Sequence, residues 1–197
     1  AGKSNSKEWY TLSGTIDLKP APEVIDGIEV KVANASDFIQ TMTDHIADAS
    51  GEVSTISLTS DVNMMGASHG SVDLAKSLTI DGDLGNGKIA TVSNLVSTEY
   101  ASVGKGADIY LNKKYGSGLF GNIGDGKSQV QVIIKNITFD GFVIGDYETG
   151  STGIIAGIIH KNAIVKLQNV TFKNCTVYGL NKAGLIAGQI KGKLILN

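Results

Sequence analysis

The sequence predicts an all-β fold built as a solenoid, with one α-helix near its start. Three Gly-aliphatic segments in the second half match one another: Gly118-Leu119-Phe120-Gly121-Asn122-Ile123, Gly153-Ile154-Ile155-Ala156-Gly157-Ile158 and Gly184-Leu185-Ile186-Ala187-Gly188-Gln189-Ile190. A second matching pair, Asn136-Ile137-Thr138-Phe139 and Asn169-Val170-Thr171-Phe172, is spaced by 33 residues, and the last two glycine segments by 31. A period near thirty residues marks a fold in which each turn of chain buries its apolar face only against its neighbours.

The elements follow in order. Residues 10–18 alternate, with Tyr10, Leu12, Gly14, Ile16 and Leu18 on one face and Thr11, Ser13, Thr15 and Asp17 on the other, the pattern of a half-buried strand. Pro20 and Pro22 then break the chain, so residues 1–22 read as a strand arm with its linker and residues 23–197 as the repeat domain. Ile28, Val30 and Val32 form a second alternation. A helix over about residues 36–50 comes next: Asn34 or Ser36 can cap it, Asp37 favours its first turn, and Phe38, Ile39, Met42, Ile46 and Ala49 share one face until Gly51 ends it. That apolar stripe is expected to cover the open first turn of the solenoid. Short strands separated by Gly, Asn and Asp turns follow, clearest at 56–58, 78–80, 89–92 and 130–134. Residues 96–116 interrupt the pattern and read as a projecting insertion, and residues 145–150 as a second.

The 197 residues suffice for one domain with a substantial core. The formal net charge is −2, and all seventeen basic residues are lysines. Without arginine the bidentate contacts of nucleic-acid readout are missing, so no nucleic-acid partner is expected. No apolar run is long enough to span a bilayer. Cys175 cannot form an internal disulfide, and its apolar surroundings predict a buried, inert thiol. The start at Ala1, ahead of a polar stretch, fits a processed terminus as well as an expression remnant, and the reading leans to export.

The order Val32-Ala33-Asn34-Ala35-Ser36-Asp37-Phe38, then Ile56-Ser57-Leu58, then Leu78-Thr79-Ile80-Asp81-Gly82 resembles the opening of pectate-lyase-like right-handed parallel β-helices. The Gly-Leu-Phe-Gly and Gly-Leu-Ile-Ala-Gly segments resemble GLUG-type repeats of bacterial and archaeal surface proteins. The resemblance spans residues 30–197 and implies a right-handed parallel β-helix of four or five turns behind an N-terminal capping helix. It implies little about function, because that superfamily holds lyases, hydrolases, adhesins and inert spacers. Asn136 and Asn169 fall at equivalent bends, where their amides are expected to stack as a buried ladder with Asn94 on the same row.

The lyases implied by the resemblance use calcium-binding carboxylates and a basic proton acceptor, and the hydrolases use clustered aspartates. The strand segments show neither pattern, so no catalytic residue is assigned, and a polysaccharide lyase or hydrolase ranks last among three readings. Asp81, Asp83 and Asn86 are candidate calcium ligands on an acidic-glycine loop, although Gly85 stands where an oxygen should be and a simple turn is the favoured account. His45, His69 and His160 are scattered without metal-ligand spacing. No other cofactor is expected. Tyr100, Lys105, Lys113, Lys114 and Tyr115 are candidates for a carbohydrate platform on the insertion, since aromatic faces stack on sugar rings.

The closing residues Lys193-Leu194-Ile195-Leu196-Asn197 align with Val165-Lys166-Leu167-Gln168-Asn169, where another strand follows. The resulting edge can be covered by further chain of a longer protein, by the arm folding back, or by a neighbouring subunit's arm. The last is favoured because two prolines detach the arm. Trp9, Tyr10, Leu12 and Ile16 on the arm, with Leu194 and Leu196 on the edge, are then the self-association residues. The expected function is a secreted or cell-surface, non-catalytic structural or adhesive protein that pairs with itself; a carbohydrate-binding surface domain with glycan partners is the alternative.

Overall fold

The computed structural model describes residues 27–47, 53–67, 69, 71–97, 117–146, 150–179 and 182–197. In chain order these form β1 (Ile28–Val32), α1 (Ala35–Ala47), β2 (Val53–Leu58), β3 (Val62–Asn63), β4 (Val72–Leu74), β5 (Leu78–Asp81), β6 (Asp83–Gly85), β7 (Lys88–Ser93) and β8 (Phe120–Ile123). They continue as β9 (Val130–Asp140), β10 (Val143–Asp146), β11 (Ser151–Thr152), β12 (Ala156–Ile159), β13 (Ala163–Lys173), β14 (Thr176–Gly179), β15 (Lys182–Ala183), β16 (Ala187–Ile190) and β17 (Lys193–Leu196). The protein is mostly β, with α1 the one helix among the described residues.

Nearly all of the pairing is parallel. The main sheet runs β1-β2-β5-β9-β13-β17, and a second sheet runs β4-β8-β12-β16. Beside them lie the parallel pairs β10–β14 and β11–β15, while β7 pairs with the second half of β9. The hairpin β6–β7 is the antiparallel exception among the described residues, turned by Asn86 and Gly87 with φ of 52° and 74°. Left-handed geometry at both turn positions is what a two-residue hairpin loop demands.

Register places like residues in rows. Val30, Ile56, Ile80, Ile134, Leu167 and Leu196 form one row through the main sheet, and Val62, Val92, Phe139 and Phe172 another. Leu74, Ile123, Ile159 and Ile190 form the matching row of the second sheet. Interior members are fully buried, each worth about 1.5–3 kcal/mol by removal from water. The final members are not: Leu196 is 61% exposed and Ile190 47%.

The repeated glycines bring successive repeats together. A Cβ on Gly118 would lie 2.6 Å from the Gly153 carbonyl oxygen, and one on Gly153 only 2.5 Å from the Ala187 Cα. Backbone bonds Leu119 N–H to Ile154 O (2.9 Å) and Ile154 N–H to Leu185 O (2.9 Å) link the three segments. Any larger residue would push those bonds apart.

At the other end α1 begins one residue before the expected 36 and its described span closes at Ala47. Asn34 is its cap, accepting from the Asp37 N–H at 2.9 Å and donating from Nδ2 to Asp37 Oδ2 at 2.7 Å. Phe38 and Met42 are fully buried against the first strands, and α1 packs on β1, β2 and β4. The expected apolar stripe is thus directed at that edge, although the side chain of Ile46 and all of Ala49 lie outside the described residues. The arm, residues 1–22, also lies outside them.

Candidate functional site

β13 is 11 residues long and pairs with β9 along its length, but β17 covers only Ile164–Leu167 on its other side. The outer edge of Val170–Lys173 has no strand partner among the described residues. In β9 the equivalent Ile137, Thr138 and Phe139 are buried; in β13 Val170 and Phe172 are half-buried and Thr171 is exposed. Phe172 stacks on Phe139 with centroids 5.6 Å apart and planes at 17°, continuing the row outward.

Beside β17 lies a groove of about 370 Å³ lined by Leu167, Val170, Phe172, Ile186, Leu196 and Asn197. A second, of about 340 Å³, flanks the start of β17 at Gln129, Ile164 and Lys193. An edge without a strand partner among the described residues, beside an apolar groove, offers a strand both ladder bonds and a place for alternate side chains. Leu194 is half-buried and Leu196 exposed on this edge. The other proposed self-association residues, Trp9, Tyr10, Leu12 and Ile16, lie outside the described residues. So do the candidate glycan ligands Tyr100, Lys105, Lys113, Lys114 and Tyr115.

The asparagines occupy two rows rather than one. Asn169 Nδ2 donates to Asn136 Oδ1 at 3.1 Å, and Asn136 Nδ2 donates to Asp81 Oδ1 at 2.9 Å. Asn94 stands elsewhere: Ser93 pairs with Asp140 and Asp140 with Lys173, which aligns Asn94 with Gly141 and Asn174 at the next bend. There it donates to Asn63 Oδ1 at 3.1 Å, while Asn174 donates to Asp140 Oδ1 at 2.8 Å. Each repeat has two bends, and the expectation merged them. The first row is also not buried, since Asn169 is exposed and Asn136 half-exposed. All of Asn94, Asn136, Asn169 and Asn174 have φ between 50° and 59°, a left-handed conformation that asparagine tolerates better than most residues.

Of the calcium candidates, Asp81 is already engaged. Its Oδ2 faces Lys135 Nζ at 3.1 Å, and its Oδ1 accepts from Asn136 and from the Asp83 N–H at 3.0 Å. Burial alone would raise the Asp81 carboxyl, but the bonds from Asn136, Lys135 and Asp83 outweigh it and hold it below the usual carboxylate range. Asp83 Oδ1 accepts from the Gly85 N–H at 2.8 Å, and Asn86 is a turn residue. The three therefore serve the hairpin.

One polar row has no signature in the sequence. His160 Nε2 lies 2.9 Å from Asn122 Oδ1, and Asn122 donates from Nδ2 to Asp73 Oδ1 at 2.8 Å. Because Asn122 spends its amide on Asp73, its oxygen accepts and His160 Nε2 carries the proton. The row ties β4 to β8 and to the turn after β12. Cys175 is half-buried rather than buried, with Sγ 3.1 Å from the Lys173 carbonyl, and burial pushes its thiol up. No described helix is long and apolar enough to cross a membrane. Comparison with family models, with curated proteins and with solved structures returns no match.

Proposed function

We propose that this chain is a right-handed parallel β-helix that works as a non-catalytic structural or adhesive protein at the cell surface or outside the cell. Copies associate through open strand edges, with residues 9–18 of one copy as the pairing strand of the next. The observation that carries the reading is the half-exposed Val170–Lys173 edge with its neighbouring groove. The alternation of Tyr10, Leu12, Gly14, Ile16 and Leu18 suits a strand that turns one apolar face into such a groove. Parallel rows spaced by about thirty residues support the β-helix part of this reading, because that is the pairing such a fold makes.

The test is the size distribution of the purified chain by light scattering, with negative-stain images, beside a chain lacking residues 1–18. Polymers from the whole chain and monomers from the shortened one are expected. A whole chain that stays monomeric at every concentration would refute self-association and move the reading to glycan binding, to be tested by replacing Tyr100 and Tyr115.

A further inference from the structure

The charges of this chain are sorted along the order of its strands. Residues 151–197 contain six lysines and no aspartate or glutamate, whereas residues 27–97 contain nine carboxylates and three lysines. The sheet orders put these stretches at opposite edges: β1 and β4 bound the two large sheets on one side, β17 and β16 on the other. On the first edge Glu29 of β1, Asp37 and Asp44 of α1 and Asp73 of β4 are all exposed, four carboxylates against one exposed lysine there, Lys31 of β1. On the last edge Lys173, Lys182 and Lys193 are exposed on β13, β15 and β17, with Lys191 in the turn before β17. Lys173 has Asp140 in register beside it, but Lys182 pairs with Ser151 and Lys193 with Ile164, so neither faces a carboxylate across its strand pair.

We infer that the association is head-to-tail and set by charge, the lysine edge of one copy receiving the acidic β1–α1 edge of a second copy. This rests on the self-association proposed above and adds its polarity. A tail-to-tail pair would set lysines against lysines, and a head-to-head pair carboxylates against carboxylates; like charges brought together across an interface are strongly disfavoured. Only the heterologous contact matches opposite signs, and it also continues the strand direction, since β1 of the second copy would follow β17 in the parallel order already running through the main sheet. A heterologous contact of this kind repeats without closing and builds a linear polymer.

Two charge-reversed variants test it. Glu29→Lys/Asp44→Lys leaves both edges with a lysine excess, and Lys182→Glu/Lys191→Glu/Lys193→Glu makes the last edge acidic; all five side chains are exposed, and circular dichroism checks that each variant is folded. Sedimentation velocity is run from ~20 mM to ~500 mM NaCl, over which the Debye length falls from about 20 Å to about 4 Å. The wild-type chain is expected to associate at low salt and to weaken at least about tenfold over that range. Each variant alone is expected to be monomeric, and an equimolar mixture of the two to associate again, because every contact between unlike variants is complementary. If each variant alone associates like the wild type, the charge-set polarity fails while self-association stands. If the wild type never associates, both fail. If it associates only on addition of polygalacturonate, the lysine edge is a polyanion site and the second-copy assignment is overturned.

Discussion

Asn169 donates its side-chain amide to Asn136 Oδ1 at 3.1 Å across two parallel strands, and both residues sit at positive φ. One residue type thus answers two needs at the same place. The long strands β9 and β13 must bend there, and the bend exposes backbone at a corner where an amide can both donate and accept. Asp81 ends the row, receiving from Asn136 on one side and the Lys135 ammonium on the other.

Replacing Asn136 separates these needs. Asn136→Gly keeps the left-handed bend and loses two side-chain bonds, for about 1–3 kcal/mol at about 0.5–1.5 kcal/mol per bond. Asn136→Ala loses the same bonds and adds about 1–2 kcal/mol for placing a Cβ in that conformation. Urea unfolding should rank wild type above Gly above Ala. Equal values for Gly and Ala would show that the backbone relaxes away from the bend.

The aromatic row gives a second contrast. Phe139 is fully buried, so Phe139→Ala should cost about 3–5 kcal/mol. Phe172 occupies the equivalent place in the last repeat but is half-buried, and Phe172→Ala should cost about half as much in dilute protein. Self-association through this edge would raise the Phe172→Ala cost with protein concentration and leave that of Phe139→Ala unchanged. Unfolding midpoints measured at two concentrations a hundredfold apart check both statements.

Much of this was legible in the residues. The Gly118, Gly153 and Gly184 segments do lie on neighbouring strands, the last two in the matched register and the first shifted by one residue at Phe120–Ala156, and the stripe of Phe38 and Met42 does face the first strands, because glycine spacing and helical periodicity are local signals. The placement of Asn94 was not local. It depends on Ser93 pairing with Asp140, a separation of 47 residues rather than the period near thirty seen elsewhere. The Asp73–Asn122–His160 row likewise joins residues 49 and 38 apart, whose meeting needs the strand order. The sorting of lysines and carboxylates could be counted in the sequence, but acquires direction only once β1 and β17 are known to be opposite edges.

Acid should reach Asp81 in a defined direction. Its carboxyl is held low in the folded chain, so it contributes stability at pH values above its unfolded pKa, about 4, and that contribution is lost as pH falls through the lowered folded value. The site is partly solvated, which keeps the effect within about 1 kcal/mol. Unfolding free energies measured from about pH 6 downward should converge for wild type and Asp81→Asn as the acid end is approached. A constant difference down to the lowest pH would mean that the carboxylate charge contributes nothing.

Cys175 reports on the Val170–Lys173 edge from the inside. Its Sγ points at the Lys173 carbonyl, and burial raises its pKa, so the thiolate fraction at pH 8 is below that of a free cysteine. Alkylation by iodoacetamide should therefore run severalfold slower than for a cysteine peptide, yet without waiting for global unfolding, because the residue is only half-buried. Cys175 packs against the core beside Phe172 and Val177, the part of the last repeat that a second copy would cover. Its alkylation should slow further as protein concentration rises at low salt, and recover at high salt where screening loosens the contact. A rate independent of both concentration and salt would place any interface away from the last repeat.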